Sequence, residues 1–390
     1  MAITGTSEKK TGRIRLGMVG GGQGAFIGAV HRLAARMDDH YEFVAGALSS
    51  DAARSKASGE ELGLAPDRIY GDFREMAKAE AKRKDGIEVV SIVTPNHMHF
   101  PAAKAFIEAG IHVVCDKPLS LNLKEALALE TLLAKNRNVI FALTHNYSGY
   151  PMIRQARDIV ASGGLGELRF VQAEYVQGWL ATPLEKSGQK QAAWRTDPAR
   201  TGAGGCVGDI GTHTYQLGCF VSGLTLDELS ADLTTFVKGR RVDDNVHVML
   251  RYKGGAKGMI WASQVAPGHE NGLKIRVYGT KGGLEWVQAD PNYLWYTPFG
   301  EPKRLITRGG AGANAAAARV TRVPPGHPEG YLEGFANIYT EVARAIKAKR
   351  AGKKPDNDVQ FPGIEDGVAG MAFIEACVKS STRNGKWVKV

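Results

Sequence analysis

Between residues 13 and 146, short apolar runs alternate with helix-patterned stretches, and this alternation restricts the fold more than any other feature. The runs at 14–19, 43–48, 89–93, 113–115 and 139–143 have the length and the Val, Ile and Leu content of buried strands. Between them, residues 30–37, 52–62, 102–109 and 125–134 repeat apolar side chains at helical spacing. Strands separated by helices are joined by crossovers, which makes them parallel and covers both faces of their sheet. The spacing predicts a parallel sheet with helices on both faces over 1–146.

Past Asn146 the rhythm changes. A helix at 153–162 precedes strand-like segments at 169–177, 232–237, 246–252, 258–265, 274–278 and 283–287, many of them joined by short Gly-containing turns. Such a series describes a large, open, mostly antiparallel sheet. Helices at 331–350 and 364–381 close the chain, and the last is expected to pack back on the first domain. Residues 309–318, rich in Gly and Ala, read as a mobile loop. The fold class is α/β in two domains, 1–146 and 147–390, as a length of 390 residues suggests.

Several classes fall away. No apolar run approaches the roughly 18 residues that cross a bilayer. The polar, basic stretch 1–13 reads as a frayed tail rather than a secretory leader. Cys115, Cys206, Cys219 and Cys377 form no CxxC pair, so neither a disulfide framework nor a zinc site is expected, and the cytoplasm is the expected compartment. His97 and His99 stand close, but with no third ligand in view no metal is expected. The net charge is +10, yet the basic residues are scattered. The one dense run, 78–84, reads as a solvated helix face, so a nucleic-acid partner is not expected. A positive field suits an anionic dinucleotide and makes anionic sugars candidate substrates, with Arg195 as an anchor.

The first strand runs into Gly20-Gly21-Gly22-Gln23-Gly24, with Gly28 four residues on. A strand, a glycine turn and a helix N-terminus form a pyrophosphate cradle, because glycines admit the phosphate and free N–H groups stabilise its charge. Ala25 stands where a third glycine belongs, and Gly28 takes that role in a turn about three residues longer than usual. After the second strand an acid normally binds the ribose 2′-OH. Here the chain has Ser49, Ser50 and Asp51, followed by Arg54. A hydroxyl beside an arginine suits a 2′-phosphate, so the expectation tilts to NADP, with NAD left open through Asp51. Ser49 and Asp51 also fit as a helix N-cap.

Three further motifs follow in order. Thr94-Pro95-Asn96 ends the third strand and precedes His99. Asp116-Lys117-Pro118 follows the fourth. Gly202 to Gly205 lead to Asp209-Ile210-Gly211-Thr212-His213. With the glycine turn and Trp194-Arg195, they resemble the glucose–fructose oxidoreductase, inositol dehydrogenase and MocA family (Gfo/Idh/MocA) over nearly the whole chain. The resemblance implies a Rossmann domain plus an α/β domain whose open sheet joins subunits, hence a homo-dimer or homo-tetramer. It implies a catalytic Lys117, with Asp116 replacing the family's glutamate, and Asp209 and His213 holding the substrate and shuttling its proton. It places Asn96 near the nicotinamide ribose and counts Thr94, Pro95 and His99 among the cofactor-binding residues.

Elementary chemistry agrees. Loops after parallel strands face the ligand crevice. Oxidising a carbinol needs a group to take the hydroxyl proton as the hydride leaves. A helix beginning near Asp209 sets Asp209 and His213 on one face. Tyr147, Trp194 and Arg195 supply the aromatic faces and forked donors that a sugar site wants. The expected function is NAD(P)-dependent hydride transfer to or from a ring hydroxyl of a sugar or cyclitol. Two alternatives use the same residues: an NAD-dependent glycosidase working through transient ring oxidation, and a non-enzymatic sugar-sensing regulator.

Overall fold

The computed structural model describes residues 12–390. The tail expected at 1–13 falls almost wholly on residues 1–11, outside the described residues. Five parallel strands form the first sheet: β1 (Ile14–Gly20), β2 (Tyr41–Ala47), β3 (Val89–Val93), β4 (His112–Cys115) and β5 (Phe141–Leu143). Their order is β2-β1-β3-β4-β5, with α1 (Phe26–Met37), α2 (Ala52–Glu61), α3 (Phe73–Glu80), α4 (His99–Glu108) and α5 (Leu123–Lys135) among the crossovers. All five residues of β3 are buried, which is why that strand reads as an unbroken apolar run. Each of its large side chains contributes roughly 1.5–3 kcal/mol by leaving water. Ser91, its polar exception, lies 2.5 Å from the Tyr339 hydroxyl. Chain order reverses about β1, so the carboxyl ends of β1 and β3 flank the crevice where doubly wound sheets bind ligands.

The chain continues through α6 (Pro151–Ala161), β6 (Leu168–Val176), the short α7 (Lys190–Arg195) and α8 (Pro198–Thr201), and α9 (Thr212–Ser222). Then come β7 (Leu226–Thr234), β8 (Asn245–Tyr252), β9 (Lys257–Ser263), β10 (Gly272–Gly279), β11 (Gly282–Val287), β12 (Tyr293–Pro298) and β13 (Arg304–Thr307). With β14 (Val388–Lys389) they build a sheet ordered β13-β12-β11-β10-β6-β9-β8-β7-β14. Every pairing is antiparallel except β6 with β9. In β8, Val246, Val248 and Leu250 face the core while His247, Met249 and Arg251 alternate with them. On the outward side Met249, Met259, Tyr278 and Trp295 stay exposed.

Two long helices, α11 (Tyr331–Arg350) and α12 (Ile364–Ser381), tie the halves together. α11 packs Phe335, Tyr339 and Val342 with α1 over one face of the first sheet. α12 lies between α5 of the first half and β7 of the second.

Some local expectations shift. The strand expected at 232–237 is β7, which starts earlier and ends at Thr234, because the Asp244 carboxylate accepts from the amides of Phe236 and Val237 and turns the chain there. The basic run 78–84 continues past α3 into a turn. Residues 309–318 are anchored rather than loose. Asn314 donates to the Asp158 carboxylate at 2.6 Å, and Ala317 is buried in the one-turn α10 (Ala315–Ala318).

Candidate active site

Where β1 ends, Gly20 and Gly21 adopt φ of +80° and +75°, a region costly for any residue with a Cβ. A Cβ on Gly28 would stand 2.3 Å from Gly21 Cα, and one on Gly21 would stand 2.9 Å from Gly28 Cα. Gly28 therefore lets α1 press against the turn, the close packing a third glycine serves. Gly24 has φ +73° with open space around it. The turn is also stitched to its surroundings: Gly22 N donates to Leu48 O at 3.1 Å, and Gln23 donates to Glu61 at 2.8 Å. Helix α1 has no side-chain cap and no acid in its first turn among the described residues, so its positive end stays open beside Ala25, Phe26 and Ile27.

These groups line a cleft of about 930 Å³ that runs from the glycine turn to the second domain. Gly20, Gly22 and Gln23 form one end, with Ser49, Ser50 and Arg54 beside them. Thr94, Pro95 and Asn96 follow at the end of β3, and Asp116 and Lys117 at the end of β4. Tyr147, Trp194, Arg195, Asp209 and His213 close the far wall. Three expected cofactor residues are off that wall. Gly24 and Gly28 serve the turn. His99 is a correction: it is buried, its ring nitrogens 2.6 Å from Pro118 O and 2.9 Å from Thr94 O, so it clamps two cleft loops together instead of facing the cleft.

At the 2′ end, the Asp51 carboxylate caps α2 by accepting from Arg54 N at 2.7 Å, and the Ser49 hydroxyl accepts from Asp51 N at 3.1 Å. Asp51 is thereby drawn to the helix rather than the cleft. Arg74, which sequence reasoning does not reach, joins Arg54 on the cleft wall. Its neighbour Gly71 lies against Ala52, so residues 71–74 run beside the start of α2.

The far wall converges on Asp209. Residues Val207–Gly211 form a π-helical turn ahead of α9, so Asp209 precedes the regular helix rather than starting it. Lys117 Nζ donates to Asp209 O at 2.6 Å and to Oδ1 at 3.1 Å. Oδ2 accepts from Arg195 Nε at 3.2 Å and from Gln264 Nε2 at 2.8 Å. Burial alone raises a carboxyl, but Lys117 and Arg195 outweigh it and hold Asp209 at about 2. Arg195 also donates to Gln191 and lies 4.3 Å from the Trp194 ring centre. Its Nε and Nη1 are thus engaged within the protein, while the side chain lines the cleft.

His213 packs edge-on against Tyr147 and His145, at ring separations of 5.0 and 5.5 Å. Burial, then Lys117 and His145, hold its imidazole well below the ordinary range, so it is neutral at neutral pH. Its Nδ1 is enclosed without a hydrogen-bond partner among the described residues, which leaves Nε2 to face the cleft. Tyr147 and Tyr175 share a 2.7 Å hydroxyl contact, and Tyr175 donates to Asn271 at 2.6 Å. Asn96 donates to Thr201 O at 2.9 Å, linking the first sheet to α8.

The cleft fits a dinucleotide on its own geometry. The glycine surface and the open helix end suit a pyrophosphate. The chain matches the oxidoreductase family with an NAD-binding Rossmann fold over residues 14–145, and the Gfo/Idh/MocA C-terminal domain over 153–285. It is similar to an oxidoreductase from Sinorhizobium meliloti, at 61% identity and TM-score 0.89 over 97% of this chain and 99% of that one. It is also similar to an inositol dehydrogenase homologue from Azotobacter vinelandii complexed with NADH and myo-inositol, at 37% identity and TM-score 0.90 over 98% and 99% of the two chains. A levoglucosan dehydrogenase of Pseudarthrobacter phenanthrenivorans is 28% identical over 97% of this chain and 98% of its own. The chain belongs to the Gfo/Idh/MocA family of oxidoreductases with an NAD-binding Rossmann fold.

Proposed function

We propose that this protein is an NAD(P)-dependent dehydrogenase that oxidises a ring hydroxyl of a cyclitol or neutral sugar, or reduces the matching ketone. The observation that carries the reading is the convergence of Lys117, Asp209 and His213 at the end of the cleft away from the glycine turn. The inositol dehydrogenase homologue complexed with myo-inositol and the levoglucosan dehydrogenase support the substrate class. The bound nicotinamide supplies the hydride acceptor. Lys117 and Asp209, already paired, orient the carbinol oxygen, and Lys117 donates to it as negative charge develops. Neutral His213 accepts the hydroxyl proton at Nε2. Tyr147, Tyr175 and Trp194 present apolar faces to the ring. Because Arg195 Nε and Nη1 are engaged by Asp209 and Gln191, and the ring compounds named for the relatives, myo-inositol and levoglucosan, are neutral, a neutral ring is the expected substrate. A panel of inositols, levoglucosan, hexoses and their phosphorylated or uronic analogues, scored by reduced-nicotinamide absorbance, tests this. Faster turnover of the anionic members overturns the neutral preference.

The cofactor preference follows from the 2′ end of the cleft. Ser49 stands where a carboxylate would repel a phosphate, and Arg54 brings a cation to the same wall, where Arg74 is paired with Asp72. We read this as favouring NADP. A charge-assisted hydrogen bond is worth about 1.5–3 kcal/mol, so Arg54→Ala is expected to weaken NADP binding roughly 10- to 100-fold and leave NAD almost unchanged. Ser49→Asp is expected to shift preference toward NAD. Fluorescence titration of wild type and both variants with each cofactor checks this. Tighter NAD than NADP binding by wild type, with Arg54→Ala silent, rejects it.

A further inference from the structure

Asp243 lies outside the cleft wall, yet it holds the loop that enters it. Its Oδ1 accepts from Gly205 N at 2.6 Å and its Oδ2 from Val207 N at 2.8 Å, while its own carbonyl accepts from Cys206 N at 2.9 Å. Three successive amides are thus fixed by one residue. The approach is close enough that a Cβ on Gly205 would stand 2.3 Å from Asp243 O. The same segment continues into the Val207–Gly211 turn, whose Asp209 amide donates back to Gly205 O at 2.9 Å. Asp244, the next residue, accepts at its carbonyl from Gln264 N at 2.8 Å, and the Gln264 side chain donates to Asp209. The two consecutive acids therefore support Asp209 from its own loop and from Gln264, just past β9.

We propose that Asp243 is a positioning residue: its ionised carboxylate, by accepting from Gly205 and Val207, sets the place of Asp209 against Lys117. Ionised, the carboxylate offers acceptors to both amides. Protonated, it carries a hydrogen on one of the two oxygens, so one amide loses a full acceptor. The groups that face it are Asp244 beside it in the loop before β8, Cys206 on the loop it holds, and Cys377 on α12. Burial first, and then Asp244, push the Asp243 carboxyl up to about 6 against the two amide bonds, which pull it down. This group therefore loses its ionised form as pH falls through about 6, and the Asp209 placement goes with it. His213, held well below its usual range, does not titrate in that window.

The inference rests on the catalytic reading of Asp209, so Asp209→Asn is measured alongside. In wild type, kcat on the fastest substrate of the panel is expected to fall about tenfold from pH 7.5 to pH 5, since a group with pKa near 6 is about one-tenth ionised there. Cofactor affinity over the same range is expected to stay within about twofold. Asp243→Asn is expected to lower kcat at pH 7.5 by about tenfold or more, and to show no further loss down to pH 5. In the cofactor-free protein, Lys117 acylation by acetic anhydride, followed by mass spectrometry, is expected to speed up several-fold in Asp243→Asn as Asp209 releases the amine. A flat wild-type kcat profile overturns the proposal. So does an Asp243→Asn variant that keeps kcat within about twofold with unchanged Lys117 labelling. Should that variant fail to fold, the wild-type profile decides, with kcat and cofactor affinity measured separately. If Asp209→Asn itself retains turnover, the catalytic reading fails. If only Asp243→Asn retains it, this inference alone falls.

Discussion

Lys117→Met is expected to lower kcat by about 10²- to 10⁴-fold, the range of general acid–base and charge-stabilising groups, with cofactor affinity within about threefold of wild type. Lys117 Nζ is held by both the carbonyl and the carboxylate of Asp209, a placement that fits an alcohol oxygen better than a phosphate. Methionine keeps the length of the stem and removes only the charge and donors. Asp209 keeps Arg195 and Gln264 as partners, so the fold does not depend on the lysine. Steady-state kinetics with a parallel cofactor titration separate the two effects. Turnover within a few-fold of wild type removes Lys117 from the chemistry.

Gly28→Val is expected to damage the other end of the cleft as severely. Even the first added carbon would stand 2.3 Å from Gly21 Cα and 2.6 Å from Gly21 O, and both contacts are backbone, which cannot swing aside. Either α1 moves out or the turn collapses. Overpacking of this kind costs about 1–3 kcal/mol, and the displaced turn withdraws the amides that face the pyrophosphate. The expected result is a lowered melting temperature together with at least about 100-fold weaker cofactor binding, equivalent to some 2.7 kcal/mol. A variant that melts and binds like wild type shows that the Gly21–Gly28 contact is not needed.

Much of this architecture is legible in the sequence, and the parts that are not share a cause. Strand β3 and helices α11 and α12 match their sequence boundaries because each carries its whole signal locally. β3 is an unbroken apolar run, and the helices have acids at Glu333 and Asp366 that accept from the amides preceding them. Strands β12 and β13 escape detection because Tyr293, Trp295 and Leu305 are partly exposed, so no buried face alternates cleanly. Residues 309–318 look loose by composition, and what orders them is supplied by Gln155 and Asp158 of α6. The site divides the same way. Glycine turn, Lys117, Asp209 and His213 stand in short motifs at strand and helix ends, where chemistry and chain position coincide. Gln264, just past β9, is brought to Asp209 by the antiparallel pairing of β8 with β9 and its bond to Asp244 O, which no local motif announces. Tyr175 and Asp243 are likewise brought in by sheet register and loop packing. His99 shows the converse, a residue within a recognisable motif whose ring serves the scaffold.

On the proposed reading, a ring carbon of the substrate gives its hydrogen, as hydride, to a nicotinamide bound in the cleft that Lys117 and His213 line. A cyclitol or sugar deuterated at its ring carbons, turned over with oxidised cofactor and analysed by mass spectrometry, tests that claim most directly. One deuterium in each reduced nicotinamide, one ketone formed per cofactor reduced, and a slower rate than with the protiated compound are expected. Ring-alcohol consumption with no reduced nicotinamide accumulating, or reduced nicotinamide without deuterium, would contradict it.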